Sequence, residues 1–193
     1  MRVDPSGDSL LRSLTLGSPW RDPVFLGLNR LPARSSLIRC PELGTAATGD
    51  RERCAWFMSL DGDWSFAFFA RPEEVPEGAV SAATECSGWA TLSVPGNWTL
   101  QGFDRPHYTN VQMPFPETPP DIPDENPTGV YRREFEIPKP WYGRRIVLHF
   151  GGAESVLIVH VNGVFVGLSK DSRLPAEFDL TDYLEPGTSV VAA

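Results

Sequence analysis

The chain has 193 residues, of which 41% are hydrophobic, and its formal net charge at pH 7 is -8. A chain of this length buries roughly 70% of its unfolded surface, which is enough for one substantial core. Lys and Arg form no basic stripe, so nucleic acid is excluded as a partner, because binding to phosphates depends on clustered positive charge. No stretch approaches the roughly 20 apolar residues that span a bilayer, and the amino terminus lacks the apolar run of a signal peptide. We therefore expect a cytoplasmic protein that binds no membrane.

The first part of the sequence predicts an extended amino-terminal arm at residues 1–50. Pro, Gly, Ser and Arg are frequent there, and large apolar residues such as Trp20 and Phe25 are scattered without a sustained period. Apolar residues exposed in series are unfavourable in water, so we expect them to cover a surface of this chain or of a partner. Residues 51–193 are predicted to form the remaining domain, which is truncated at its carboxyl end.

Cys40, Cys54 and Cys86 make an odd number of cysteines, without CxxC spacing or neighbouring histidines. This pattern predicts neither a disulfide framework nor a zinc site. We therefore interpret all three cysteines as buried or unreactive thiols.

The remainder of the chain shows several short strands separated by turn signals. Large aromatic residues alternate with smaller ones at 64–68, and a short strand at 92–94 ends at a Pro-Gly pair. Asn162-Gly163 predicts a two-residue hairpin turn, because both central residues of a type I′ turn need positive φ. Further strands are predicted at 130–137, 144–150, 156–161, 164–166 and 188–193, with a helical turn or tight bend at 180–184.

Residues 95–129 are predicted to be a loop, because eight prolines in this stretch donate no backbone hydrogen bond and fix their own φ. A loop of this length indicates function or contact with another element.

Short strands, no amphipathic helix of ordinary length and one long loop together predict an all-β fold, an antiparallel jelly-roll sandwich. The last predicted strand coincides with the end of the sequence, so we expect the chain to be a fragment of a longer protein.

The segment after the predicted hairpin is polar where an ordinary turn is expected. Asp171, Ser172 and Arg173 place a carboxylate, a hydroxyl and a guanidinium group in succession. Such a cluster indicates a binding site. The alternative for Asp171 alone is a turn aspartate that accepts hydrogen bonds from its own backbone.

Several motifs point to a known family. They are Leu26-Gly27-Leu28-Asn29-Arg30-Leu31, Leu60-Asp61-Gly62-Asp63-Trp64-Ser65-Phe66, Val94-Pro95-Gly96-Asn97-Trp98, Tyr108-Thr109-Asn110-Val111, Glu125-Asn126-Pro127-Thr128-Gly129-Val130-Tyr131-Arg132 and Asp171-Ser172-Arg173-Leu174-Pro175-Ala176-Glu177-Phe178-Asp179-Leu180. Their order and spacing resemble the amino-terminal, galactose-binding jelly-roll domain of β-galactosidases of glycoside hydrolase family two. The resemblance is continuous from about Trp20 to the last residue.

The resemblance implies a multidomain enzyme that hydrolyses terminal β-galactosides, such as lactose, with retention of configuration. Its two catalytic glutamates lie in a TIM barrel outside this chain, so no catalytic residue is predicted here and the fragment alone is expected to be inactive. By motif match, Asn110, Val111 and Asp171 would bind galactose, and Asp171 would also bind Na+. The family also implies Mg2+, bound outside this chain, and a homo-oligomer to which the arm contributes.

The chemistry of these side chains suits the implied roles. The Asn110 amide offers both donors and an acceptor to sugar hydroxyls, and the Asp171 carboxylate is a hard oxygen ligand and a strong acceptor. For Arg173, a structural ion pair with Glu177 or Asp179 is favoured over substrate contact.

Other interpretations stay open at this point. The chain could be a freestanding galactose-binding module without catalysis, or a purely structural domain whose arm bridges subunits. Trp89, Trp98 and Phe103 either stack on sugar rings or, as is commoner for large aromatics in a sandwich, belong to the core. His149 and His160 are interpreted as filler on a sheet face.

Overall fold

The computed structural model describes residues 18–108, 110 and 113–193. These residues form nine strands, β1 (Gly27–Leu28), β2 (Gly62–Phe69), β3 (Ala90–Val94), β4 (Thr128–Glu136), β5 (Val147–Phe150), β6 (Leu157–Val161), β7 (Val164–Ser169), β8 (Ala176–Asp179) and β9 (Thr188–Ala192). They also form one helix, α1 (Leu43–Ala47), and 3-10 turns at Pro19–Arg21, Arg51–Arg53, Pro72–Glu74, Glu77–Val80, Trp98–Gln101, Lys139–Trp141 and Thr181–Tyr183. No helix in the described ranges is long and apolar enough to cross a membrane.

Seven strands form one antiparallel sheet in the order β1-β7-β6-β9-β4-β2-β3, and β5 pairs with β8 in a second, smaller sheet. Side chains from both sheets meet in one core. The central members of that core are Trp64, Phe135, Val159, Val161, Val166, Phe178, Leu180 and Val191. This arrangement confirms the predicted all-β jelly-roll sandwich.

Strands β2 to β7 and β9 lie close to their predicted positions, whereas β1 and β8 lie in segments where the sequence predicts no strand. The turn between β6 and β7 has positive φ at Asn162 (53°) and Gly163 (82°), as a type I′ turn requires. The β5 strand begins at Val147, later than predicted. At the preceding residue, Ile146, the backbone N–H donates to Thr181 Oγ1 (3.0 Å), while the carbonyl accepts from the Leu180 N–H (2.8 Å).

The proline-rich stretch is a loop in its described residues, and its aromatic side chains pack on the sandwich. Trp98 lies 5.9 Å from Phe66 and Phe103 lies 4.9 Å from it, measured between ring centroids. The ring of Trp98 also stacks on Tyr131 at 6.5 Å. The structure therefore favours the interpretation that Trp98 and Phe103 belong to the core.

The described part of the arm lies on the sandwich itself. Strand β1 pairs with β7, and the backbone N–H of Leu31 donates to Glu177 O (2.8 Å). Gly167 on β7 allows this close approach, because a Cβ there would lie 2.6 Å from the Phe178 ring and 2.7 Å from Leu28 O. The division into an arm at 1–50 and a domain at 51–193 stays a prediction.

The prediction that the cysteines form no disulfide is wrong for two of them. Cys40 and Cys54 are joined by a disulfide, with their Cα atoms 5.2 Å apart, while Cys86 is a free thiol. The chain folds back through α1 and the turn at Arg51–Arg53, which brings the two cysteines together. Disulfides persist mainly in oxidising compartments, so this bond does not support a cytoplasmic location. That location stays a prediction.

Arg132 and His160 are buried on the face of the large sheet that points away from Val161 and Val191. They lie in one row across the sheet, since each of them pairs with Ala192. The Arg132 guanidinium donates to the backbone carbonyls of Ala79 (3.1 Å) and Ser81 (2.6 Å). His160 is 3% exposed, and neither ring nitrogen has a hydrogen-bond partner among the described residues. Burial lowers the pKa of His160 to about 4.

Gly129→Ala should destabilise the fold, because a Cβ at this position would lie 2.5 Å from both Phe66 and Trp98. Overpacking of this kind costs about 1–3 kcal/mol, which denaturant unfolding would measure as a lower midpoint. Gly88→Ala is the matched control, since a Cβ at Gly88 meets nothing within 4 Å. Equal midpoints for the two variants would contradict the packing of the Trp98 segment on the sheet.

His160→Leu should flatten the dependence of stability on pH between about 6.5 and 4. The unfolded chain binds a proton at His160 near pH 6.5, whereas the folded chain does so only near pH 4, so His160 lowers stability as pH falls through this window. The free energy of unfolding should fall by about 3 kcal/mol at the acid end of this window. Denaturant unfolding at a series of pH values measures it. Replacement of the exposed His107 by Leu is the control and should leave the profile of the parent protein. Parallel profiles for the His160 variant and the parent would show that His160 is not buried as a neutral ring.

Candidate functional site

Asp171 lies two residues beyond the end of β7, in the loop 170–175 that leads into β8. Its Oδ1 atom accepts hydrogen bonds from the backbone N–H groups of Arg173 (3.0 Å) and Leu174 (3.2 Å). These two bonds form the turn that an aspartate makes with its own backbone. The alternative interpretation of Asp171 as a turn residue is therefore correct for Oδ1. The other oxygen, Oδ2, makes no hydrogen bond within the described part of the chain, and the half-buried carboxylate therefore keeps an acceptor for a ligand.

Asp171 lines a cleft of about 350 Å³ at this end of the sandwich. Its wall is formed by the arm, by the loop between β5 and β6, and by the loop after β7, through Leu26, Arg30, Glu154, Lys170, Asp171, Ser172 and Arg173. A volume of this size falls at the lower end of the range for small-molecule sites, roughly 300–1,000 Å³.

The predicted ion pair of Arg173 with Glu177 or Asp179 is wrong. Arg173 instead lies 3.7 Å from Glu154, with both side chains largely exposed (84% and 69%), so the pair contributes little to stability. The two predicted partners already have other contacts: Glu177 pairs with Arg34 (3.0 Å) and lies 3.1 Å from Nδ1 of His149, and Asp179 pairs with Arg145 (2.6 Å).

The two acids on β8 belong to the scaffold of the site and not to the cleft. Burial of Asp179 opposes its ionisation, but hydrogen bonds from Thr181 and Arg145 outweigh burial and hold the pKa of this carboxyl below its usual value. Glu177 joins the arm to the smaller sheet, because Arg34 belongs to the arm and His149 to β5. His149 is thus a contact of this junction and not the filler that the sequence predicts.

Asn110 is exposed in the proline-rich loop, and Val111 lies outside the described residues. Within the described ranges, Asn110 does not line the cleft of Asp171, and no hydrogen bond joins the two side chains. The structure therefore groups Asp171 with Lys170 and Arg30, and the roles of Asn110 and Val111 in sugar binding stay predictions.

Several residues of the cleft were not found from the sequence. Arg30, whose guanidinium donates to Ser169 Oγ (3.1 Å), and Glu154 come from segments distant along the chain. Lys170 is adjacent to Asp171 in the sequence, but its contacts are with Pro19, Asp22 and Leu26 of the arm. The pairing of β1 with β7 brings Arg30 and Lys170 together, and no local pattern indicates that pairing.

A jelly-roll sandwich with a carboxylate-bearing cleft at the end of a hairpin has the features of a carbohydrate-binding domain. The sequence matches the family described as "Glycosyl hydrolases family 2, sugar binding domain" over residues 57–193, and the chain belongs to this family.

Relatives and solved structures agree with this assignment. The chain is 45% identical over 138 residues to a protein of Psychromonas ingrahamii named "Beta-galactosidase", covering 72% of this chain and 13% of that protein. It is 41% identical over 184 residues to a "Beta-galactosidase" of Erwinia tasmaniensis, covering 94% of this chain and 17% of that protein. The Bifidobacterium dentium β-glucuronidase structure, complexed with coumarin-3-O-glucuronide, is 26% identical with a TM-score of 0.52 and covers 69% of this chain and 19% of that one. The chain thus spans less than a fifth of the length of these proteins.

Proposed function

We propose that this chain is the sugar-binding domain of a retaining β-galactosidase that releases terminal β-D-galactose from β-galactosides such as lactose. The observation that carries the proposal is the Asp171 carboxylate, held by two backbone N–H groups with Oδ2 directed to no protein donor among the described residues. The relatives at 45% and 41% identity, both named beta-galactosidase, support the substrate class.

Asp171, Asn110 and Val111 are proposed to bind the galactose unit, with Asp171 accepting a charge-assisted hydrogen bond from a sugar hydroxyl. The bond cleavage itself is assigned to residues outside this chain. Retaining hydrolysis uses a nucleophilic carboxylate and an acid/base carboxylate about 5 Å apart on either side of the scissile bond. The domain alone is therefore expected to be inactive.

The structural likeness to a β-glucuronidase raises glucuronides as a second substrate class. A glucuronide carries a carboxylate, which requires a free cation in the site. The three cations at the cleft of Asp171 are already bound within the protein: Arg30 to Ser169, Lys170 to carbonyls of the arm, and Arg173 to Glu154. These contacts do not neutralise the charges, and the cleft holds three cations against the carboxylates of Asp171 and Glu154, so the choice of a neutral galactoside rests on the relatives named beta-galactosidase.

Na+ is proposed as a ligand of Asp171, because Oδ2 is a hard oxygen donor without a hydrogen-bond partner in the described residues. Asp171 would supply one side-chain ligand to the ion, because no group of three or more His, Cys, Asp or Glu side chains suited to a metal occurs in the described part of the chain. Further ligands would come from backbone oxygens, from the sugar or from other domains. Mg2+ is expected to bind outside this chain.

The proposed partners are the remaining domains of the same enzyme and further copies of it. Large apolar side chains of the arm are exposed, with Val24 at 84% and Leu43 at 86%, which supports contact with another polypeptide. A homo-oligomer formed through the arm, in the cytoplasm, is the form that we propose.

Asp171→Ala tests this proposal in the complete polypeptide that the gene encodes. We expect kcat/KM for a chromogenic β-galactoside to fall about 100-fold and stimulation by Na+ to disappear, because a charged hydrogen-bond partner of the sugar is lost. Asp171→Asn keeps an Oδ1 acceptor for the turn and separates loss of charge from loss of folding. Asp182→Ala, at an exposed aspartate in a 3-10 turn, is the control and should retain activity within about twofold.

Unchanged kinetics of both Asp171 variants across Na+ concentrations would refute the assignment of this site. Titration of the 193-residue chain with galactose separates the remaining alternatives. Measurable affinity favours a freestanding galactose-binding module, whereas our proposal predicts almost none.

A further inference from the structure

Lys170 connects the loop of Asp171 to the amino-terminal arm. Its ammonium group donates to the backbone carbonyls of Pro19 (2.7 Å), the first residue of the 3-10 turn Pro19–Arg21, and of Asp22, which follows that turn. Its backbone N–H donates to Leu26 O (3.0 Å). One residue, directly before Asp171 in the chain, thus contacts three carbonyl groups of the arm.

These contacts extend a continuous junction between the arm and β7. Gly27 pairs with Ser169 and Leu28 pairs with Leu168, so the bond from Lys170 to Leu26 carries the ladder beyond the end of β7. The side-chain amide of Asn29 adds a hydrogen bond to Val166 O (2.8 Å). The arm is therefore fixed to β7 up to the residue at which the polar loop begins.

Beyond Lys170 the loop has few other anchors before β8 begins at Ala176. The Asp171 carboxylate bonds to the loop's own backbone, which orders the loop internally but does not fix it to the sandwich. The ion pair of Arg173 with Glu154 is largely exposed and therefore weak. The position of Asp171 relative to the cleft consequently depends on the contacts of Lys170.

We propose that Lys170 is a positioning residue that couples the docked arm to the orientation of the Asp171 carboxylate. The sugar-binding part of this inference rests on the proposed function, whereas the coupling itself does not. The half-buried ammonium makes charge-assisted hydrogen bonds, which are stronger than neutral ones, and Pro19 is buried, so its carbonyl has little access to water once Lys170 is removed.

Amide hydrogen exchange in the 193-residue chain tests the coupling without any substrate. The N–H groups of Arg173 and Leu174 report on the Asp171 turn, and Lys170→Met, which keeps the length of the side chain, should speed their exchange about tenfold. Lys170→Arg restores a cation at this position and should keep the exchange rates of the parent chain. The chain offers a matched control, because its only other lysine, Lys139, is exposed, and Lys139→Met should leave both amides unchanged.

Steady-state kinetics of the complete polypeptide test the consequence for the sugar. A contact made equally in the bound substrate and in the transition state affects KM and not kcat, so Lys170→Met should raise KM for a β-galactoside about fivefold at constant kcat. The half-saturating Na+ concentration should rise in parallel. Lys170→Arg should recover the parent KM, and thermal unfolding of each variant shows that the assay temperature lies below its transition.

Unchanged exchange of the Arg173 and Leu174 amides in Lys170→Met would overturn the coupling. Faster exchange with an unchanged KM would overturn the positioning role, provided that Asp171→Ala impairs the enzyme. Faster exchange with wild-type kinetics in both Lys170→Met and Asp171→Ala would instead refute the proposed sugar site and leave the coupling supported.

Discussion

The pairing of β7 on both of its edges is the constraint on which the rest of this structure depends. One edge forms the tight hairpin with β6 and the other binds the arm strand β1. Gly167 makes this possible, because any Cβ at that position would collide with Phe178 beneath the strand and with the backbone of the arm beside it. The end of β7, and with it Asp171, is thereby held between the core and the arm.

This arrangement links stability to the site. The hairpin places Val159, Val161 and Val166 in the core, opposite Phe178 of the smaller sheet, so the apolar side chains that drive folding also define where the polar loop begins. The outer face of the same sheet buries polar side chains instead of apolar ones. Arg132 donates to backbone carbonyls of residues 79–84, and His160 is buried as a neutral ring. Hydrogen bonds compensate the burial of Arg132, whereas the neutral ring of His160, whose nitrogens have no partner among the described residues, is buried at a cost to stability.

The arm has two roles in this description. It completes the sandwich, through β1 and through the contact of Arg34 with Glu177, and it forms a wall of the cleft through Leu26 and Arg30. The cleft of Asp171 therefore depends on residues more than a hundred positions before it in the chain.

The sequence by itself determined the local features of this protein. Sequence patterns located the strands other than β1 and β8, the φ requirement of Asn162-Gly163 located the hairpin, and the motif around Asp171 located the polar loop, because each depends on neighbours in the chain. Only the tertiary structure decided the Cys40–Cys54 bond, the partner of Arg173, and the contacts of Lys170 with the arm, where Nζ and the Pro19 carbonyl belong to residues 151 positions apart. Such contacts arise from strand order and from competition among charged partners, and neither is encoded in a local pattern.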